Sequence, residues 1–391
     1  MFTTLKTIDR NDIAVTSRRD KGFSVGMISA GELYGGVEEF IASLCRHLKE
    51  NTAIRPVVVL LEKGELYERL RNAGVVIHFV PLRHKYDILQ ASKIAAILRE
   101  ENVSIIHSHG YKGTLLGALA ARRLGIPLIK TEHGASEPLH GWDGVKLALN
   151  YRIDRVTTSL FVESLVYITR DLLIQKGLTG RQKTLVIHNG IPPVDDLTRD
   201  DTLFEPGKFN VGIVGRLTPV KGHDILFKAV RRARTWRDIR VHVIGSGHLL
   251  ESLEKSVTEL NLNGQVKFLG FKRDVGHYMA GLDCLAMPSL NEGLPYTLLE
   301  AMHQGLPIVA SAVGGMKEVL VPNETALLFK PGDVAALSDQ LDRLCGDRQL
   351  RLRLGGAARQ VARESFSIEK MANEYMLSYR DLIPLERSGL Q

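Results

Sequence analysis

Alternation of short β-rich runs with helical patterns, carried through twice, predicts an α/β chain of two parallel-sheet domains. The alternation argues for parallel βαβ units. A stretch rich in Pro, Asp and Gly separates the two rounds and reads as a linker. A length of 391 residues is enough for two separate cores. In the first round, strands are expected at 23–29, 56–61, 75–80, 104–107, 127–131, 156–158 and 184–188. The second round starts at Phe209, with strands at 209–214, 240–244, 266–269, 284–287, 308–310 and 326–329. Helical runs then fill the chain from Val334 to about Arg380. The boundaries that follow are a polar extension at 1–22, a first domain at 23–190, a linker at 191–207, a second domain at 208–365 and a last helix within 366–391.

Composition sets the class. Hydrophobic content of 44% and charged content of 24% match an ordinary soluble globular protein. A net charge of +7 favours anionic partners. Up to Asp200 there are 27 Lys and Arg against 22 Asp and Glu, so the excess leans toward the N-terminal half. That fits peripheral contact with an anionic membrane, or solubility alone. No dense basic block with interleaved aromatics is present, so no nucleic acid partner is expected. Cys45, Cys284 and Cys345 are odd in number and widely spaced in apolar stretches, the pattern of buried thiols in a reducing compartment. The first 22 residues contain no apolar core of a secretory signal, and no run approaches the roughly twenty residues of a spanning helix. A cytoplasmic protein is expected, at most seated at the inner face of the cytoplasmic membrane.

Two segments carry the chemistry. In the first, Glu292 sits in a Gly- and Pro-marked loop and Glu300 lies in the helix that follows. Two carboxylates so placed can hold two parts of one elongated, hydroxyl-rich ligand, while the helix N-terminus between them offers amides to an anion. In the second, a strand runs into Gly215, Arg216, a Pro-containing turn, Lys221 and Gly222 before an amphipathic helix. A planar fork and a point charge beside a helix N-terminus suit two phosphates. Gly35 and Gly36 allow a similar close approach after the first strand. Solvated Glu side chains and plain glycine turns are common singly; the pairing of these segments is what gives them weight. His109 and His133 each precede a glycine at an expected strand end. Strand alternation is expected to turn His107 inward, away from them.

These motifs resemble the retaining "group 1" glycosyltransferases, glycosyltransferase family four, over residues 23 to 380. The segment from Glu292 to Glu300 and the segment from Gly215 to Gly222 match the two signatures of that family. VIHNGI around Asn189, VIGSGHL around Gly245 and VKFLGF ending at Phe271 follow in order. The resemblance implies a GT-B fold, two Rossmann-like domains with parallel sheets facing across a cleft. It implies transfer of a sugar from a UDP-, GDP- or ADP-sugar donor to a glycan or lipid-linked acceptor, without a separate cofactor. On this reading Glu292, Arg216, Lys221, His109 and His133 carry the reaction. Gly35, Gly36, Asn189, Gly215, Gly245, Phe271, Gly293, Leu294, Thr297 and Glu300 hold the donor, Glu300 through the ribose, and the 136–146 loop helps choose the acceptor. His188 stands where the family motif commonly has proline and receives no role.

Breaking the anomeric bond leaves negative charge on the nucleoside diphosphate, which fixed cations and amides would stabilise. No Asp-x-Asp ends a strand, and the acidic cluster at 195–201 falls in the linker, so no metal is expected. Two other readings remain at this stage. One is a sugar-nucleotide epimerase of the same architecture; the other is an inactive scaffold subunit.

Overall fold

The structure, a computed structural model, describes residues 22–31, 35–84, 87–134, 141–177, 182–194 and 204–384. In the helix that opens at Gly141, side chains are described from Lys146 onward. The polar extension up to Lys21, the acidic cluster at 195–201 and the acceptor loop as far as His140 lie outside the described residues.

The first half runs β1 (Ser24–Ser29), α1 (Gly36–Asn51), β2 (Arg55–Leu60), α2 (Glu65–Asn72), β3 (Val76–Phe79), α3 (Gln90–Glu100), β4 (Val103–His109), α4 (Gly110–Leu124), β5 (Leu128–Glu132), α5 (Gly141–Phe161), β6 (Ser164–Tyr167), α6 (Arg170–Lys176) and β7 (Lys183–Val186). The second half runs β8 (Phe209–Val214), α7 (His223–Arg232), β9 (Ile239–Ile244), α8 (Leu250–Glu259), β10 (Val266–Gly270), α9 (Val275–Met279), β11 (Cys284–Met287), α10 (Tyr296–Gln304), β12 (Ile308–Ser311), α11 (Gly314–Val319) and β13 (Leu327–Phe329). Three helices close the chain: α12 (Val334–Gly346), α13 (Arg348–Ser365) and α14 (Ile368–Leu382).

All pairings between these strands are parallel, in the orders β3-β2-β1-β4-β5-β6-β7 and β10-β9-β8-β11-β12-β13. A parallel sheet must be covered on both faces, so its central strands carry apolar side chains throughout. β1 is buried at every residue. The covering helices are striped: α1 turns Phe40, Ile41, Leu44, Cys45 and Leu48 inward at three- and four-residue spacing. Helix ends follow local chemistry. Thr169, Asp333, Asp347 and Ser367 cap α6, α12, α13 and α14 through side-chain oxygens. The chain passes between the halves twice, side by side: Ile191 bridges Ser367, and a Cβ on Gly190 would lie 2.2 Å from the Ser367 carbonyl oxygen. After the second passage α14 lies against α1 of the first half.

Three expectations need correction. Residues 156–158 belong to α5, and the strand is Ser164–Tyr167. Val156, Thr157 and Thr158 favour strands, but Asn150, Asp154, Thr157 and Thr158 recur on one helical face that is turned inward. There Asp154 Oδ2 and Thr158 Oγ1 accept from Lys130 Nζ of β5 at 2.6 and 3.1 Å. Cys345 is half-buried, unlike the buried Cys45 and Cys284. His107 and His109 share a face, as residues two apart on a strand must, with rings 4.3 Å apart.

Lys130 is only 2% exposed and also pairs with Glu132 at 2.5 Å; Lys176 holds the second oxygen of Glu132. Removing Lys130 leaves two enclosed carboxylates with one cation between them. Lys130→Met should cost about 3–5 kcal/mol in urea unfolding. Lys183→Met, which breaks an exposed pair with Asp381, should stay within about 0.5 kcal/mol.

Candidate active site

Topology fixes where the site can be. The strand order reverses between β1 and β4 in one sheet and between β8 and β11 in the other. Loops leaving such neighbours diverge and open a crevice at the carboxyl ends of the strands. The loop before α1, His109, the turn from Gly215 to Lys221 and the loop holding Glu292 all stand at those four strand ends.

Two helix N-termini meet across this crevice. Gly35 caps α1 and Gly36 begins it. A Cβ on Gly36 would lie 3.9 Å from Cδ2 of Tyr296, the first residue of α10. Beside them, a Cβ on Gly293 would lie 2.7 Å from the His133 carbonyl oxygen. The Glu292–Gly293 turn therefore passes through a gap only glycine fits. Leu294 is buried, so its side chain belongs to the core and its main chain faces the turn; its carbonyl accepts from Asn189 Nδ2 at 2.9 Å. Thr297 lies in the first turn of α10.

Cations border the two N-termini. Lys221 Nζ donates to Glu292 Oε1 at 2.6 Å, and Ser289 Oγ donates to the same oxygen at 2.8 Å. The stem of Lys221 lies over Gly215, whose φ of +149° and lack of a side chain allow it. Gly245 keeps this turn in place from behind: a Cβ there would meet the Gly215 carbonyl oxygen at 1.9 Å. Arg216 is exposed and acts on Glu38 in the first turn of α1. Burial raises the Glu38 carboxyl above its ordinary range, while the Glu38 and Gly35 amides and Arg216 pull it back.

The histidines form a wall on the first-half side. His109 Nδ1 and His133 Nε2 share a hydrogen bond of 3.0 Å. Burial holds both rings below the usual imidazole range, His133 at about 4, so both are neutral at physiological pH. His109 Nε2 is buried and has no partner among the described residues. An orphaned nitrogen at this depth is costly unless a ligand or water completes it. His107 lies behind the wall. Its Nδ1 meets the Tyr379 hydroxyl and its Nε2 the Thr131 hydroxyl, both at 2.8 Å, and Thr131 meets the Tyr375 hydroxyl at 2.9 Å. Phe40 of α1 packs against all three histidines.

Further along α10, burial pushes the Glu300 carboxyl up to about 7, Glu39 adding to the shift and Arg69 opposing it. Phe271 is 53% exposed just past β10. Arg273, two residues on, bridges to Glu65 of α2 at 3.1 Å, and Arg69 donates to its carbonyl at 3.3 Å. The halves thus touch on this side as well.

The family description "Glycosyl transferases group 1" matches residues 194–361, and "Glycosyltransferase Family 4" matches residues 34–194. The chain belongs to the group 1 glycosyltransferases. It is 27% identical over 316 residues to an N-acetyl-alpha-D-glucosaminyl L-malate synthase of Bacillus anthracis, covering 78% of this chain and 81% of that one. It is 26% identical over 348 residues to the Escherichia coli UDP-Gal:alpha-D-GlcNAc-diphosphoundecaprenol alpha-1,3-galactosyltransferase, covering 83% and 89%. The crystal structure of Anabaena HepE in complex with UDP superposes with a TM-score of 0.80 at 23% identity, over 92% of this chain and all of that one. The GT-B fold of two Rossmann-like domains follows.

In this glycosyltransferase the sequence reading missed one part of the site. Gly314 and Gly315 open α11 and press on the Glu292–Gly293 turn: their Cβ atoms would meet the Glu292 and Gly293 carbonyl oxygens at 1.8 and 2.2 Å. A Gly-Gly pair after a strand and before a helix, as at Gly35 and Gly36, was the available signal. Glu318, one turn on, accepts from the Arg170 and Asp171 amides of α6 at 2.8 and 3.2 Å and meets His188 Nε2 at 2.8 Å. His188 therefore joins the two halves.

The raised Glu300 pKa has a definite linkage sign. Between the ordinary value of 4.5 and about 7, the folded chain holds a proton that the unfolded chain has lost, so stability falls as pH rises across that window. Glu300→Gln should therefore gain stability relative to the parent from about pH 4.5 to about pH 7, then keep a constant margin above it. Paired urea unfolding curves at several pH values measure this, since other groups cancel in the difference.

Proposed function

We propose that this glycosyltransferase moves a hexose, with retention, from a nucleoside-diphosphate sugar to a hydroxyl of a glycan or lipid-linked acceptor, and that it needs no divalent metal to do so. The observation that carries the reading is the meeting of the α1 and α10 N-termini beside Lys221 and Arg216. Main-chain amides and fixed cations aimed at one place suit a leaving diphosphate, because their interaction grows as charge collects on the departing oxygen. Neutral His109 and His133 offer hydrogen bonds to the sugar, and the orphaned His109 Nε2 matches one hydroxyl. Glu300 takes ribose hydroxyls near Phe271. Glu292 orients Lys221 and faces the cationic sugar from the same turn.

The relative of Escherichia coli is named for a diphosphoundecaprenol-linked acceptor, and HepE was crystallised with UDP. These names support a UDP-sugar as the first donor to try and a lipid-linked acceptor. The epimerase and scaffold readings are not favoured, because the family matches from 34 to 361 are to glycosyltransferases and the phosphate-binding groups are chemically competent.

A thermal-shift panel of UDP-, GDP- and ADP-sugars in excess chelator identifies the donor, since a ligand held by the folded state raises apparent stability. Arg216→Ala and Lys221→Ala should each lower turnover by about a hundred- to a thousand-fold. Donor affinity should fall less, and the double variant should be less than additive. Folded variants with near-normal turnover, or activity lost in chelator and restored by Mg²⁺, would contradict the proposal.

A further inference from the structure

We propose that the outer flank of α5 docks on an anionic lipid surface. The helix leaves Leu149, Val156 and Leu160 exposed at 51%, 57% and 68%. At 100° per residue these three fall within one narrow stripe. Arg152 and Arg155 flank the stripe on one side and Lys146 on the other, all exposed. The only carboxylate of the helix from Lys146 onward, Asp154, is turned inward to Lys130. The outward flank therefore carries cations and apolar side chains with no acid among them.

That combination selects the occupant. Cations border the stripe on both edges with no acid to pair them, so a second copy of this helix laid against it would bring like charges together. The stripe and its cations suit an interface where aliphatic groups enter the acyl boundary and cations meet lipid phosphates. The placement fits as well. α5 packs on α4 and is tied through Lys130 to β5, the strand that delivers His133 to the crevice, so docking along α5 brings that side of the cleft toward the bilayer. The proposal extends the lipid-linked acceptor reading and names the surface that would meet the lipid.

The test is co-sedimentation of the full chain with vesicles of phosphatidylglycerol and phosphatidylcholine, or of phosphatidylcholine alone, at low and high salt and without acceptor. The parent should bind only the anionic vesicles and release at high salt. Each cation at the surface is worth about fivefold in partitioning, so Arg152→Gln with Arg155→Gln should lose about twenty-five-fold. Leu149→Ser with Leu160→Ser should weaken binding at both salt concentrations. Both variants should keep the parent's thermal shift with the nucleotide, which separates lost docking from lost folding. Anionic vesicle binding that both variants retain overturns the proposal, as does binding that disappears only when residues 1–21 are removed. A concentration-dependent rise in mass that Leu149→Ser with Leu160→Ser abolishes would make the flank a contact between two copies and overturn it too. Glycosylation of a lipid-linked acceptor in detergent, with no vesicle binding, would sink the docking surface and leave the proposed reaction standing.

Discussion

Two helices that begin at the same point of a cleft create an electrostatic debt, and much of this structure is organised around it. A Cβ on Gly36 would touch the Tyr296 ring, so α1 and α10 begin side by side, and each N-terminus carries the equivalent of about half a positive charge. Lys221 and Arg216 add two full charges at the border. Like potentials this close repel, so negative charge placed between them is stabilising. Two carboxylates of the protein stand there: Glu292 binds Lys221, and Glu38 lies over the Gly35 amide within reach of Arg216. A diphosphate would take over that counter-charge. The glycines follow from the same constraint. Gly293, Gly314 and Gly315 are the positions where backbone from the two halves, or from two turns of one half, lies too close for a side chain.

The last helix has a share in the site without touching the cleft. Tyr375 and Tyr379 of α14 end a chain of hydrogen bonds through Thr131 and His107, and His107 stacks behind His109. Three hydroxyls and one neutral imidazole bring four donor protons to these three bonds, so every bond can be made without charging the ring, and one hydroxyl proton is left over. Burial keeps His107 well below the usual imidazole range. The effect is a histidine wall whose rear member cannot turn. Because α14 follows the second half and packs on the first, it also ties the positions of the two halves together.

The strand alternation and the two signature segments were legible because they are local. Parallel central strands announce themselves as apolar runs, and glycine-marked turns before helices show where amides converge. What failed needed knowledge of partners. Val156 to Thr158 looked like a strand because β-branched residues favour one, yet Lys130 makes the polar inward face of α5 worthwhile. β6, four residues long, was hidden behind it. His107 was turned the wrong way by misapplied alternation, and its conclusion survived only because Tyr379 encloses it. Gly314, Gly315 and Glu318 gained meaning only once the Glu292 turn and α6 were seen against α11.

The claim on which the account rests is that the cleft is built for the diphosphate. Calorimetric titration with the preferred nucleoside diphosphate, the matching monophosphate and the free nucleoside, all in chelator, measures that directly. The diphosphate should bind at least a hundred-fold more tightly than the monophosphate, about 2.7 kcal/mol, with the nucleoside weaker still. Equal affinity for diphosphate and monophosphate would mean that the paired N-termini, Lys221 and Arg216 do not meet the second phosphate, and would contradict the account.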